Sequence, residues 1–102
     1  MPDYALDKLT ASDLQPHLHE AFSIEHETGA LVVELIEVTE QERRDVPEDR
    51  RAPFSVVFRG PRDPWLSQGI YEVANASMGT IAMFLVPIVS DHKGQRYEAV
   101  FA

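Results

Sequence analysis

The ten residues from Thr80 to Val89, TIAMFLVPIV, carry no charge. Read as a strand, they place Ile81, Met83, Leu85 and Val89 on one face and Ala82, Phe84, Val86 and Ile88 on the other, so neither face is polar. A strand of this kind is expected at the middle of a fold, with a second layer of sheet or helix over its outer side. The run is about half of the roughly 20 residues that a membrane-spanning helix requires. It therefore argues for a core strand rather than a membrane segment.

The same period-2 rhythm recurs through the second half of the chain. Phe54, Val56 and Phe58 alternate with Ser55, Val57 and Arg59; Ile70, Glu72 and Ala74 alternate with Tyr71, Val73 and Asn75. Tyr97, Ala99 and Phe101 alternate with Arg96, Glu98 and Val100, after a hairpin turn at Asp91-His92-Lys93-Gly94. Upstream, Ala21 to His26 turns through Glu27, Thr28 and Gly29 into Ala30 to Glu40, where Val38 breaks the phase set by Leu31, Val33 and Leu35. That break predicts a bulge near Ile36 or Glu37, and bulges bend sheets. Before these strands, Thr10, Ser12 and Asp13 signal a short helix ending near Glu20; with Asp13 as its N-cap, Pro16 falls at the third helical position, where its missing N–H has no partner to lose. The fold class expected is mainly β (α+β): a short N-terminal helix and six antiparallel strands in a bent sheet, roll or partly open barrel. Mostly meander connections are expected, with a two-layer sandwich as the alternative.

At 102 residues the chain is expected to be a single domain, 1–102, because two cores would each be too small to offset their chain entropy. There are no cysteines, which removes disulfides, thiolate catalysis and cysteine-ligated metals together. The amino terminus lacks the basic and apolar regions of a signal peptide, so a cytoplasmic location is expected. A net charge of −8 opposes binding to nucleic acid and to anionic membranes, since both depend on neutralising phosphates with Lys and Arg. Residues 41–52, QERRDVPEDRRA, interleave arginines with acids and contain almost nothing apolar; they read as a mobile, solvated loop.

Chemistry has little support in the sequence. His17 and His19 lie two apart, too close in register to share a helical face, and His26 and His92 beside their turns have no obvious third ligand, so no metal site is expected. No serine has the flanking glycines of a nucleophile elbow, and no glycine-rich phosphate loop occurs, so neither catalytic nor cofactor-binding residues are assigned. Glu34 and Glu37 read as solvent-facing strand positions. The most suggestive cluster is Arg59, Arg62, Trp65, Gln68 and Tyr71, which brackets a loop stiffened by Pro61 and Pro64 and combines the aromatic and arginine residues enriched at interface hot spots. Trp65 is either a lid over the core or an exposed anchor, and Arg59 has the alternative of pairing with Glu72 or Glu98 across strands.

The segments PFSVVFRGP, LSQGIYEV, MGTIAMFLVPIV and YEAVF together resemble a family of small bacterial domains of unknown function, over nearly the whole chain. The resemblance implies a cytoplasmic bacterial protein of one domain, with no activity, cofactor or catalytic residue to carry over, and a gene setting that includes phage-tail-like collar proteins. Asn75 departs from it, standing where a histidine is common, as does Ala102 where an asparagine is common; Trp65 is particular to this chain. The function expected is a protein-binding or assembly module, with a protein partner or a second copy bound through a sheet edge or the 60–68 loop. The alternative is a small enzyme or small-molecule-binding barrel with its site at the open end.

Overall fold

The computed structural model describes residues 9–26, 29–40, 53–62 and 66–101. Its elements are α1 (Ala11–Leu14), a 3₁₀ turn (Gln15–His17), β1 (Ala21–His26), β2 (Gly29–Glu40), β3 (Phe54–Gly60), β4 (Gly69–Asn75), β5 (Gly79–Asp91) and β6 (Gly94–Phe101). The six strands are antiparallel and close into a barrel in the order β1-β2-β3-β6-β5-β4. Of the expected bent sheet, roll or partly open barrel, the chain forms the barrel and closes it fully, and the path is not one meander. Two three-strand meanders, β1–β3 and β4–β6, meet along β3–β6 and again along β4–β1.

Local chemistry accounts for the elements. Gly29 at φ +122° and Gly79 at +83° supply the left-handed residues that start β2 and β5. The bulge falls where the phase break put it, between Leu35 and Glu37 in the β2–β3 ladder. A second register shift lies in β5 between Pro87 and Ser90, where proline offers no N–H to the ladder. There the Gln95 side chain, itself buried, donates to the Val89 carbonyl at 3.3 Å. The helix begins at Thr10 rather than Asp13: the Asp13 carboxylate reaches back to accept from the Thr10 N–H at 2.9 Å and its hydroxyl at 3.1 Å. Pro16 then sits in the 3₁₀ turn that ends it.

A six-stranded barrel is narrow enough for side chains to fill. Phe22 meets Phe58 edge-on at 5.2 Å between ring centroids, and Phe54 stacks on Phe101 at 4.7 Å. Leu9, Ala11 and Leu14 add the helix to the same core, and Leu66 and Met78 join it from the connections. Residues 41–52 and Trp65 lie outside the described residues, as does the side chain of His26. Among the described residues no helix is long and apolar enough to cross a membrane.

The second layer expected over β5 is absent among the described residues. Ile81, Met83 and Leu85 point into the barrel, whereas Phe84 on the other side is exposed, as are Ile88 and Val89 within the register shift. In a closed single-walled barrel the outer face of a strand meets solvent, whatever its composition.

Two positions test this architecture. Tyr97 is fully buried, and its hydroxyl accepts from the Leu66 N–H at 2.8 Å; burial pushes its pKa up. Tyr97→Phe strands that N–H and is expected to cost about 1–3 kcal/mol in urea unfolding. Gly94 has φ +141°, and a Cβ there would run into the Gly60 carbonyl oxygen, whereas at Gly29 a Cβ meets nothing. Gly94→Ala should therefore lower the melting temperature more than Gly29→Ala, although both carry left-handed strain; equal losses would mean that the Gly60–Gly94 approach is not a constraint.

Candidate functional site

The close approach of Gly94 to Gly60 sets the β5–β6 turn on the end of β3, and the position of a Cβ at Gly94 would lie 3.3 Å from Arg59 Cγ. The stem of Arg59 is thereby held beneath the turn that carries Lys93. Registry supplies its neighbours: Arg59 is opposite Glu34 on β2 and opposite Arg96 on β6. Arg59 Nη2 donates to Glu34 Oε1 at 3.4 Å, not to Glu72 or Glu98. Those two glutamates face Ala82 and Val57 across their ladders.

Glu34 has a second partner. His19 Nδ1 lies 3.1 Å from Glu34 Oε2, and His19 has φ +71°, a left-handed backbone held by the hydrogen bond from its N–H to the Leu35 carbonyl. On the far side of Arg59, Arg96 pairs with Asp91 at 3.7 Å, and its Nε is buried with no hydrogen-bond partner among the described residues. Asp91 also accepts from the Lys93 N–H at 2.9 Å, which together with the Arg96 charge draws its pKa down.

His19, Glu34, Arg59 and Lys93 line an open cleft of about 370 Å³, with Ala21, Val32, Val33, Gly60 and Pro61 as its less polar walls and Asp91 and Arg96 outside it. A second, more apolar cleft of about 320 Å³ runs past Ser23, Ala74 and Asn75 and shares Ala21 and Val32 with the first. All the lysines and arginines of the described residues, Arg59, Arg62, Lys93 and Arg96, belong to the end of the barrel where this first cleft lies or to the residues just after it. Sequence reading found Arg59 and Arg62 but missed His19, Glu34, Lys93 and Arg96, because no local pattern announces which strands β3 pairs with.

Of the remaining residues singled out by sequence, Arg62 and Gln68 are exposed. Tyr71 packs against the core and its hydroxyl donates to the Ser67 carbonyl at 2.7 Å. Among the described residues no group of three or more His, Asp or Glu side chains is gathered to hold a metal ion.

The outer wall carries the other candidate surface. Ile70 on β4 is 75% exposed and pairs directly with Phe84 on β5, 49% exposed. Val100 on β6, 62% exposed, lies two residues beyond Glu98, the partner of Val86. Side chains of this size with so much area in water, on adjacent strands, form an apolar face of the kind that marks contact surfaces.

A small closed antiparallel barrel with a charged cleft at one end and an apolar outer wall is thus the class of protein these observations define. The chain belongs to the family described as domain of unknown function DUF6916, whose model matches residues 9–101. No curated protein and no solved structure matches it.

One polar network beside the clefts carries a pH dependence. Glu20 Oε1 lies 2.8 Å from His17 Nδ1 and accepts from Asn75 Nδ2 at 3.2 Å, and these bonds, His17 first, hold its carboxyl below the usual glutamate range. A folded-state pKa below the unfolded one contributes stability above the ordinary glutamate pKa and loses it as pH falls through the folded-state value. The melting-temperature gap between wild type and Glu20→Gln should close over that acid range; a gap independent of pH would assign the effect elsewhere.

Proposed function

We propose that this barrel is a cytoplasmic protein-binding or assembly module that docks through the outer wall of β4–β6. The observation that carries this reading is the exposure of Ile70, Phe84 and Val100 on adjacent strands. Burying apolar area of this kind contributes about 25 cal/mol per Å². A standard interface covers roughly 800 Å² per partner, so these three side chains form the centre of a contact whose rim includes Glu72 and Glu98. Docking by strand addition has less support than docking by this face, because in the closed order every strand has a hydrogen-bonded neighbour on each side. The partner is a second copy of the chain or another protein of an assembly.

The test pairs Ile70→Ser/Phe84→Ser with Thr39→Ala, a solvent-facing control on β2 away from both clefts. Sedimentation velocity of the protein alone, and capture of a defined partner from native lysate, should show association in the wild type and in the control. The double variant, with its melting temperature checked, should lose it by about tenfold or more. Association that survives the double variant, or a wild type that stays monomeric and captures nothing, would overturn the reading.

A further inference from the structure

The cationic cleft is a separate surface and points to a separate ligand. On a chain of net charge −8, the described lysines and arginines are gathered at one end of the barrel, while Glu25, Glu37, Glu40, Glu72 and Glu98 are spread over other parts of the wall. Two of those cations, Arg59 and Arg96, stand directly opposite each other across β3–β6, an arrangement that is unfavourable by itself. The acids beside them do not complete the pairing. Glu34 is shared between Arg59 and His19, Asp91 reaches Arg96 only at 3.7 Å, and Arg96 Nε is buried without an acceptor among the described residues. Lys93 and Arg62 make no ion pair with a described residue.

We propose that the cleft between His19, Arg59 and Lys93 binds an extended acidic peptide segment of a partner protein, a carboxylate of which sits against Arg59 and Lys93. Charge selects the chemistry: a carboxylate beside Lys93 completes the hydrogen bonding of the Arg59 guanidinium, which Glu34 reaches only at 3.4 Å. Shape selects a peptide over a small acid. The two clefts share Ala21 and Val32 in their walls, so a chain with a carboxylate in the first can extend past these residues over apolar wall toward Ser23 and Ala74. Polyanions such as nucleic acid fit less well, because phosphates beyond the cleft would face the acidic remainder of the surface. The site does not depend on the β4–β6 wall, so the two proposals stand or fall separately.

The experiment measures fluorescence anisotropy of a labelled, end-blocked decapeptide of alternating Glu and Val, with an alternating Gln and Val peptide and a single-stranded oligonucleotide as comparators. Wild type should bind the Glu peptide at low ionic strength, weaken steadily with added salt, and bind the Gln peptide and the oligonucleotide at least about tenfold less tightly. Lys93→Gln, in an exposed turn, and Arg59→Gln should each weaken the Glu peptide severalfold, and the pair by more than about tenfold, while Ile70→Ser/Phe84→Ser binds as wild type does. Circular dichroism melts of each variant separate lost binding from lost folding, and Lys93→Gln keeps the test open if Arg59→Gln unfolds. Equal affinity for the Glu and Gln peptides, tighter binding of the oligonucleotide, or no loss with folded Lys93→Gln would overturn the proposal.

Discussion

The pairing of β3 with β6 is the contact on which the rest of the molecule depends. It joins residues 54–60 to 95–101 in seven consecutive antiparallel partners, from Phe54↔Phe101 to Gly60↔Gln95. Each meander alone is a three-stranded sheet with one wet face and one apolar face, and only this long-range ladder turns both apolar faces inward around a common core. The same ladder stacks Phe54 on Phe101, puts Tyr97 beside Phe58, and brings Arg59 opposite Arg96. Core and charged cleft are thus two sides of one set of partners.

The second seam, β1–β4, is much weaker. It has two registered pairs, Ser23↔Ala74 and Ile24↔Val73. Side chains reinforce it: Asn75, buried, donates to the Ala21 carbonyl at 3.1 Å and to Glu20, while its own carbonyl oxygen accepts from the N–H groups of Ser77 and Met78. One amide therefore closes the turn into β5 and ties β4 to the start of β1, where Glu20 and His17 continue the network. A seam held by a few polar bonds is where the barrel wall opens most easily, since such bonds contribute only about 0.5–1.5 kcal/mol each. The second, more apolar cleft lies along it.

Strand positions were legible because alternation and turn glycines are local signals: β1 to β6, the hairpin at Gly29 and the bulge after Leu35 all follow from residues within a few positions of each other. The pairing of β3 with β6 was not legible, because pairing across more than 30 residues is settled by the closure of the whole sheet, and with it went Arg96 as the neighbour of Arg59. The outer face of β5 was misread for a related reason. Apolarity on both faces usually means cover on both, yet Phe84 and Ile88 stand on the outside of a single wall. Asp13 was assigned as the helix cap from its residue type; the structure gives that place to Thr10, which Asp13 serves from the third position. Of the five residues proposed for an interaction surface, Arg59 lies in the cleft, Tyr71 packs on the core, and Trp65 falls outside the described residues.

Both departures from a minimal barrel have the same form. An outer wall that only had to stay soluble would carry polar residues at Ile70, Phe84 and Val100, and an acidic protein that only had to stay folded would intersperse its cations among its acids. Here apolar side chains are on adjacent strands facing water, and the described cations are massed where β3 meets β6, two of them directly opposed. Neither arrangement improves the core, which is already filled by the inward residues of the six strands and the helix. Surface features that the fold does not require, and that cost it solubility in one case and charge repulsion in the other, are most simply explained by something outside the chain that covers them.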